Sequence, residues 1–146
     1  GGQSSLRYIG LRVPHLLQAM RKGFSFSKSE SDEVAKIWNQ VWWNSDCCEV
    51  MSLALAWFYD PKQKPVLNHY WPTLKKWSSR IDNWAHADTL SGIYARLLEQ
   101  NPQTVYPTLV KWNSTKNSWL RRLSIVSLIY YSSQREKVLP VKKILD

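Results

Sequence analysis

The stretch YWPTLKKW, residues 70–77, returns as VYPTLVKW at residues 105–112. The tripeptides that close this pattern occur three times, as Trp43-Asn44-Ser45, Trp77-Ser78-Ser79 and Trp112-Asn113-Ser114, at spacings of 34 (43 to 77) and 35 (77 to 112) residues. A repeat of that length made from helix pairs marks a stacked α-solenoid, in which each unit buries its apolar face against its neighbours. Helical spacing recurs at Leu16, Leu17 and Met20, at Val34, Ile37, Trp38 and Val41, and at Leu67, Tyr70, Trp71 and Leu74, while strand signals are weak. Pro, Gly, Asn and Ser collect at residues 23–31, 60–65, 101–102 and 114–118, leaving helices of roughly 12–18 residues between them. These features predict an all-α chain: antiparallel helix pairs stacked in a right-handed superhelix, with no sheet. Each marker Trp then closes one helix ahead of the next.

At 146 residues the chain reads as one domain, 1–146, long enough to bury about two-thirds of its unfolded surface. Gly1 and Gly2 fit a tag remnant. Twenty Lys and Arg against eleven Asp and Glu give a net charge of +9, which favours polyanionic partners such as nucleic acid. Nine Trp and seven Tyr exceed what a core of this size needs, and aromatics interleaved with basic residues suit surfaces that meet sugars and bases. Cys47 and Cys48 are adjacent, a poor geometry for a disulfide, and suit a reducing compartment. Nothing resembles a signal peptide, and no apolar run approaches the roughly 20 residues of a membrane span, so a cytoplasmic location with no membrane contact is expected. His15, His69 and His86 lack metal-ligand spacing, and no Gly-rich phosphate loop or nucleophile motif is present, so neither metal nor cofactor is expected.

The second helix of each pair lines the concave face of such a superhelix, where extended partners bind. Seven residues after their markers, Trp84 and Trp119 occupy equivalent points near the starts of these helices, and the first unit has Val50 there. In the stretch IDNWAHADTLSG, residues 81–92, Asp82 or Asn83 can cap the helix, Trp84 falls in its first turn, and Asp88 stacks one turn on. His86 lies on the same helix but points to another face. Arg122, ten residues after its own marker, falls one turn along the neighbouring second helix. Trp84, Asp88 and Arg122 are therefore expected to look into one groove. A carboxylate beside an indole face attracts a cation, by Coulomb attraction and through the ring quadrupole. Two fitting cations are an alkylated purine and the oxocarbenium-like sugar left when its glycosidic bond breaks. Arg122, with Arg121 and Lys116 close in sequence, suits phosphates. By residue type alone Asp88 equally fits a structural bond to a neighbouring repeat, and Arg122 a plain inter-repeat ion pair.

Trp84-x-x-x-Asp88, followed by Trp119-Leu120-Arg121-Arg122 ahead of an apolar helix, resembles the HEAT-repeat DNA alkylation-repair glycosylases, the AlkD-like family. Tyr8-Ile9-Gly10-Leu11-Arg12-Val13-Pro14 is similar to the family's segment leading into an early helix, and Val41-Trp42-Trp43-Asn44-Ser45 with Cys48-Glu49 to its next helix junction. The resemblance covers nearly the whole chain. It implies HEAT-like helix pairs and excision of cationic alkylated purines, of the 3-methyladenine or 7-methylguanine type, from duplex DNA. Family members are understood to work without metal or cofactor and without drawing the base into a pocket, unlike most enzymes that act on bases. Carried over, Asp88 is the catalytic carboxylate, Trp84 packs against the deoxyribose, and Arg122 holds the backbone, with Trp119, Arg121 and Lys116 beside it. The family's chains are longer, with a helix before Tyr8 and about two further repeats, so a partial member is expected, incomplete at both ends. Residues 135–146 would then expose Val138, Leu139, Val141, Ile144 and Leu145 to self-association or to a missing segment. The competing readings are a non-catalytic HEAT-repeat DNA-binding module and a protein-interaction module.

Overall fold

The computed structural model describes residues 4–133. Among them the chain is all-α: α1 (Val13–Lys22), α2 (Ser31–Asn44), α3 (Cys48–Tyr59), α4 (Trp71–Trp77), α5 (Trp84–Gln100), α6 (Pro102–Asn113) and α7 (Ser118–Ser133). The only β-type pairing among the described residues is an isolated bridge between Arg7 and Cys47. Local chemistry sets several of the ends. Pro14 and Pro102 sit in first turns, where a missing N–H costs nothing, and Gly23 closes α1 with a positive φ of 78° that other residues rarely adopt.

Helices α2 and α3, α5 and α6, and α6 and α7 pack on one another, and α3 lies against α5 and α5 against α7. The second helices therefore form a row, α3–α5–α7, which is compatible with a solenoid of helix pairs. Gly92 marks a close approach in that row, since a Cβ there would lie 2.8 Å from the Tyr59 ring of α3. Aromatic stacking fills the layer between units. Trp42 lies parallel to Trp77 at 4.7 Å, Phe58 meets Trp77 edge-on at 5.1 Å, and Tyr94 meets Trp71 and Trp112 at 5.6 Å each. Such pairs contribute beyond their buried area because the ring quadrupoles favour these offsets.

Two expectations need correction. The buried tryptophan of the first unit is Trp42, which is fully buried like Trp77, whereas Trp43 is 39% exposed. The repeat therefore runs at 35 (42 to 77) and 35 (77 to 112) residues. Neighbouring residues of a helix point about 100° apart, so only one of two adjacent tryptophans can face the core. Trp43 instead donates its indole N–H to Asn39 Oδ1 at 3.1 Å, the acceptor that also takes the Trp77 indole N–H at 2.7 Å. The spacing at Leu67, Tyr70, Trp71 and Leu74 does not make one long helix either. Residues 61–70 run as 3-10 turns, and α4 has only seven residues. Pro65 and Pro72 cannot donate to an α-helical ladder, which restricts where a regular helix can begin. The apolar residues expected to be exposed at the C-terminal end, Val138, Leu139, Val141, Ile144 and Leu145, lie outside the described residues.

Candidate active site

Asn83 caps α5. Its backbone is extended, and its side-chain oxygen accepts the His86 backbone N–H at 2.9 Å, so Trp84 falls at the first helical position. Asn117 does the same for α7, accepting from the backbone N–H groups of Trp119 at 2.9 Å and Leu120 at 3.2 Å. Equivalent caps in adjacent units bring the two helix starts into line. Arg122 reaches from α7 to α5 and donates to Asp88 Oδ1 through both Nε, at 3.1 Å, and Nη2, at 2.9 Å. Its guanidinium carbon lies 3.6 Å from the centroid of the Trp84 ring, and Trp119 meets Trp84 edge-on at 5.7 Å.

Four of the six residues singled out in the sequence thus form one cluster. Trp84 is 61% exposed, and the side chains of Asp88 and Arg122 are 38% and 28% exposed. Both Arg122 bonds end on one oxygen, and no described residue bonds Asp88 Oδ2. The other two residues stay outside. Arg121 turns back to donate to the Thr115 carbonyl at 2.8 Å, and Lys116 is exposed in the loop between α6 and α7.

The cluster separates two hollows. One, of about 420 Å³, is walled by Tyr8, Trp84, Trp119 and Arg122; the other, of about 610 Å³, is lined by Asp88 together with Tyr59, Arg96 and Leu17. The indole and guanidinium line the first hollow and the carboxylate lines the second, so the three side chains expected to look into one groove instead meet at the boundary between two.

Asp82, the other cap candidate in the sequence, does not cap α5; with Glu49, to which sequence reasoning gave no role, it holds the segment before α1 against this site. Asp82 accepts from Ser4 Oγ at 2.7 Å and from the Ser5 backbone N–H and Oγ at 2.9 Å each. Glu49 accepts from the backbone N–H groups of Ile9 at 3.1 Å and Gly10 at 2.9 Å. Tyr8 is thereby held at the rim of the first hollow. Burial raises the proton affinity of both carboxyls, but the donated hydrogen bonds outweigh it and leave each below the usual carboxylate range. The sign follows: their contribution to stability is present above the ordinary carboxylate pKa and lost as pH falls through the lower folded value. Glu49→Ala leaves two backbone donors unpaired. It should cost about 1–3 kcal/mol and expose the Ile9 and Gly10 amides to hydrogen exchange, with little change at the α5 amides.

No three His, Cys, Asp or Glu side chains converge as metal ligands among the described residues. The fold and cluster define an all-α protein of paired helices that presents a carboxylate, a guanidinium and exposed indoles on its row of second helices. A family profile described as DNA alkylation repair enzyme matches residues 2–145. The chain belongs to the DNA alkylation repair enzyme family, and its role is in DNA repair, with DNA as the partner. No curated protein and no solved structure matches the chain.

Proposed function

We propose that the protein is a DNA glycosylase that releases cationic alkylated purines, of the 3-methyladenine and 7-methylguanine type, from duplex DNA. The observation that carries this reading is the seat of the Arg122 guanidinium, a flat delocalised cation held by Asp88 on one side and the Trp84 face on the other. The seat shows that these two groups accept a flat cation, and Arg122 uses only one of the two carboxylate oxygens. Asp88 Oδ2 is the oxygen left for a substrate or a water molecule.

Alkylation places a positive charge on the purine, which makes it a ready leaving group. When the N-glycosidic bond breaks, its electron pair neutralises the departing base and positive charge develops on the sugar. Asp88 stabilises that charge through Oδ2 and orients a water molecule towards it; the water oxygen bonds to C1′, one proton is lost, and an abasic site remains. The deoxyribose would sit at the boundary between the two hollows, within reach of Asp88, with the Trp84 indole packed against it and Trp119 supporting the indole. Arg122 fixes Asp88 and, with Arg121 and Lys116, attracts the phosphates. The lesion supplies its own leaving-group charge, so the reaction as proposed calls on no cofactor or metal.

The Asp88–Arg122 pair also fits a purely structural tie in a non-catalytic HEAT-repeat module for DNA or for a protein partner. A duplex carrying a single 7-methylguanine separates these readings: a glycosylase leaves an alkali-labile abasic site at that position, and a binding module leaves the strand intact. Binding itself should weaken steeply with salt, by about 10³-fold between 50 and 200 mM if six or more phosphates are neutralised. Arg122→Ala should weaken binding to every sequence about equally. An affinity indifferent to salt would speak against a DNA groove.

A further inference from the structure

His86 is fully buried on the side of α5 away from Trp84 and Asp88, and its bonds identify its tautomer. The capping bond from the His86 backbone N–H to Asn83 Oδ1 fixes how the Asn83 amide is turned, so its donor, Nδ2, faces His86 Nδ1 at 3.0 Å. Nδ1 must therefore accept. The ring proton sits on Nε2, which donates to the Cys48 carbonyl of α3 at 3.0 Å. Ser52 Oγ donates to that same carbonyl at 2.9 Å and lies 3.1 Å from Nε2, with Cys48 Sγ at 3.4 Å. Ring, cap and α3 are joined in one chain of bonds.

We propose that His86 is the positioning residue of the site: neutral and protonated on Nε2, it ties the capped first turn of α5, which carries Trp84 and Asp88, to α3. For its effect on catalysis this rests on the glycosylase reading; as a statement about the α5 turn it does not. A second proton on the ring would turn Nδ1 into a donor facing the donor of Asn83, and the cap would have to yield. The groups that face the ring are Cys48 and Glu49 from α3, Arg80 from the 78–80 turn and Asp82 from the segment before α5, while α2 presents the Trp42 ring at 5.4 Å. Burial dominates and holds the proton affinity of His86 below the ordinary histidine range; the Cys48 carbonyl, Asp82 and Glu49 oppose it and Arg80 adds to it. The unfolded chain takes its proton near about 6.5 and the folded one resists, so stability is complete above that pH and is lost as pH falls through it towards the folded value.

Asn83→Asp tests this. Aspartate caps a helix as well as asparagine but offers only acceptors, so the ring can carry both protons, one to Asp and one to the Cys48 carbonyl. Ring nitrogen spectra of the wild type should place the proton on Nε2. In the variant the His86 titration should rise above about 6.5, and melting temperature, compared with wild type, should gain on going from about pH 7.5 to 5.5 rather than lose. When pH is carried on below that window, through the wild type's own lowered His86 titration, the Trp84 indole resonance should move with it, whereas the His86 titration of Asn83→Asp should leave Trp84 in place, with the buried Trp112 as a control for unfolding. Single-turnover base release should fall about fivefold with His86 protonation in the wild type only. A wild-type proton on Nδ1, or a Trp84 response that is the same in both proteins, overturns the proposal. A wild type that releases no base ends the glycosylase reading and leaves the resonances to decide the positioning role.

Discussion

Asp88→Asn is expected to lower base release by about 10²-fold or more while duplex binding stays within a few-fold. Asparagine keeps the size of the side chain and an oxygen for the two Arg122 donors, so the inter-helix tie survives. What it removes is the negative charge that the developing sugar cation needs. The tie itself is partly exposed and screened, so its loss of charge should cost little stability. Were Asp88 merely structural, the surviving tie to Arg122 would leave base release near the wild-type rate, and any loss would follow a drop in melting temperature. Measuring both on one sample separates the cases. Trp84→Ala should lower both binding and release, because it deletes the wall proposed for the sugar and the ring beneath the Arg122 guanidinium.

Trp42→Ala is expected to cost about 3–5 kcal/mol, a large share of the roughly 5–15 kcal/mol that holds a domain of this kind together. The side chain is fully buried, is stacked on Trp77 and lies near His86, and the cavity left behind would be lined by aromatic faces with nothing to collapse onto them. Trp43→Ala, one residue on, should cost under about 1 kcal/mol, since that ring is substantially exposed and Asn39 keeps the Trp77 indole as a partner. Urea midpoints at unchanged slope would measure the difference. Equal costs would mean that Trp43 shares the buried repeat position.

The cluster of Trp84, Asp88 and Arg122 was legible because two periodicities converge on it. The i, i+4 spacing puts Trp84 and Asp88 on one face of α5, and the near-35-residue period puts α7 beside it with Arg122 at the matching height. The repeat was readable for the same reason, but its register was not. Trp42 and Trp43 are both tryptophan, and which of them faces inward depends on how α2 is rotated. Arg121 follows the same rule in reverse: one residue from Arg122, it points about 100° round the helix and bonds the Thr115 carbonyl instead of joining the cluster. The clamps at Asp82 and Glu49 were hidden because their partners include backbone N–H groups, at Ser5, Ile9 and Gly10, which leave no mark in a sequence. His86 could be assigned to another face of α5 by spacing. Its tautomer could not, since it depends on an amide 3.0 Å away being turned by a helix cap.

The proposed glycosylase differs from a protein that only holds DNA in breaking the glycosidic bond. The most direct measurement is the appearance of free 7-methylguanine from methylated duplex DNA incubated with excess wild-type protein at neutral pH, followed in time against the same DNA without protein. Release that exceeds the spontaneous rate, with a matching count of abasic sites, is the predicted result. DNA that is bound to saturation, yet loses its methylated bases no faster than DNA alone, would contradict it.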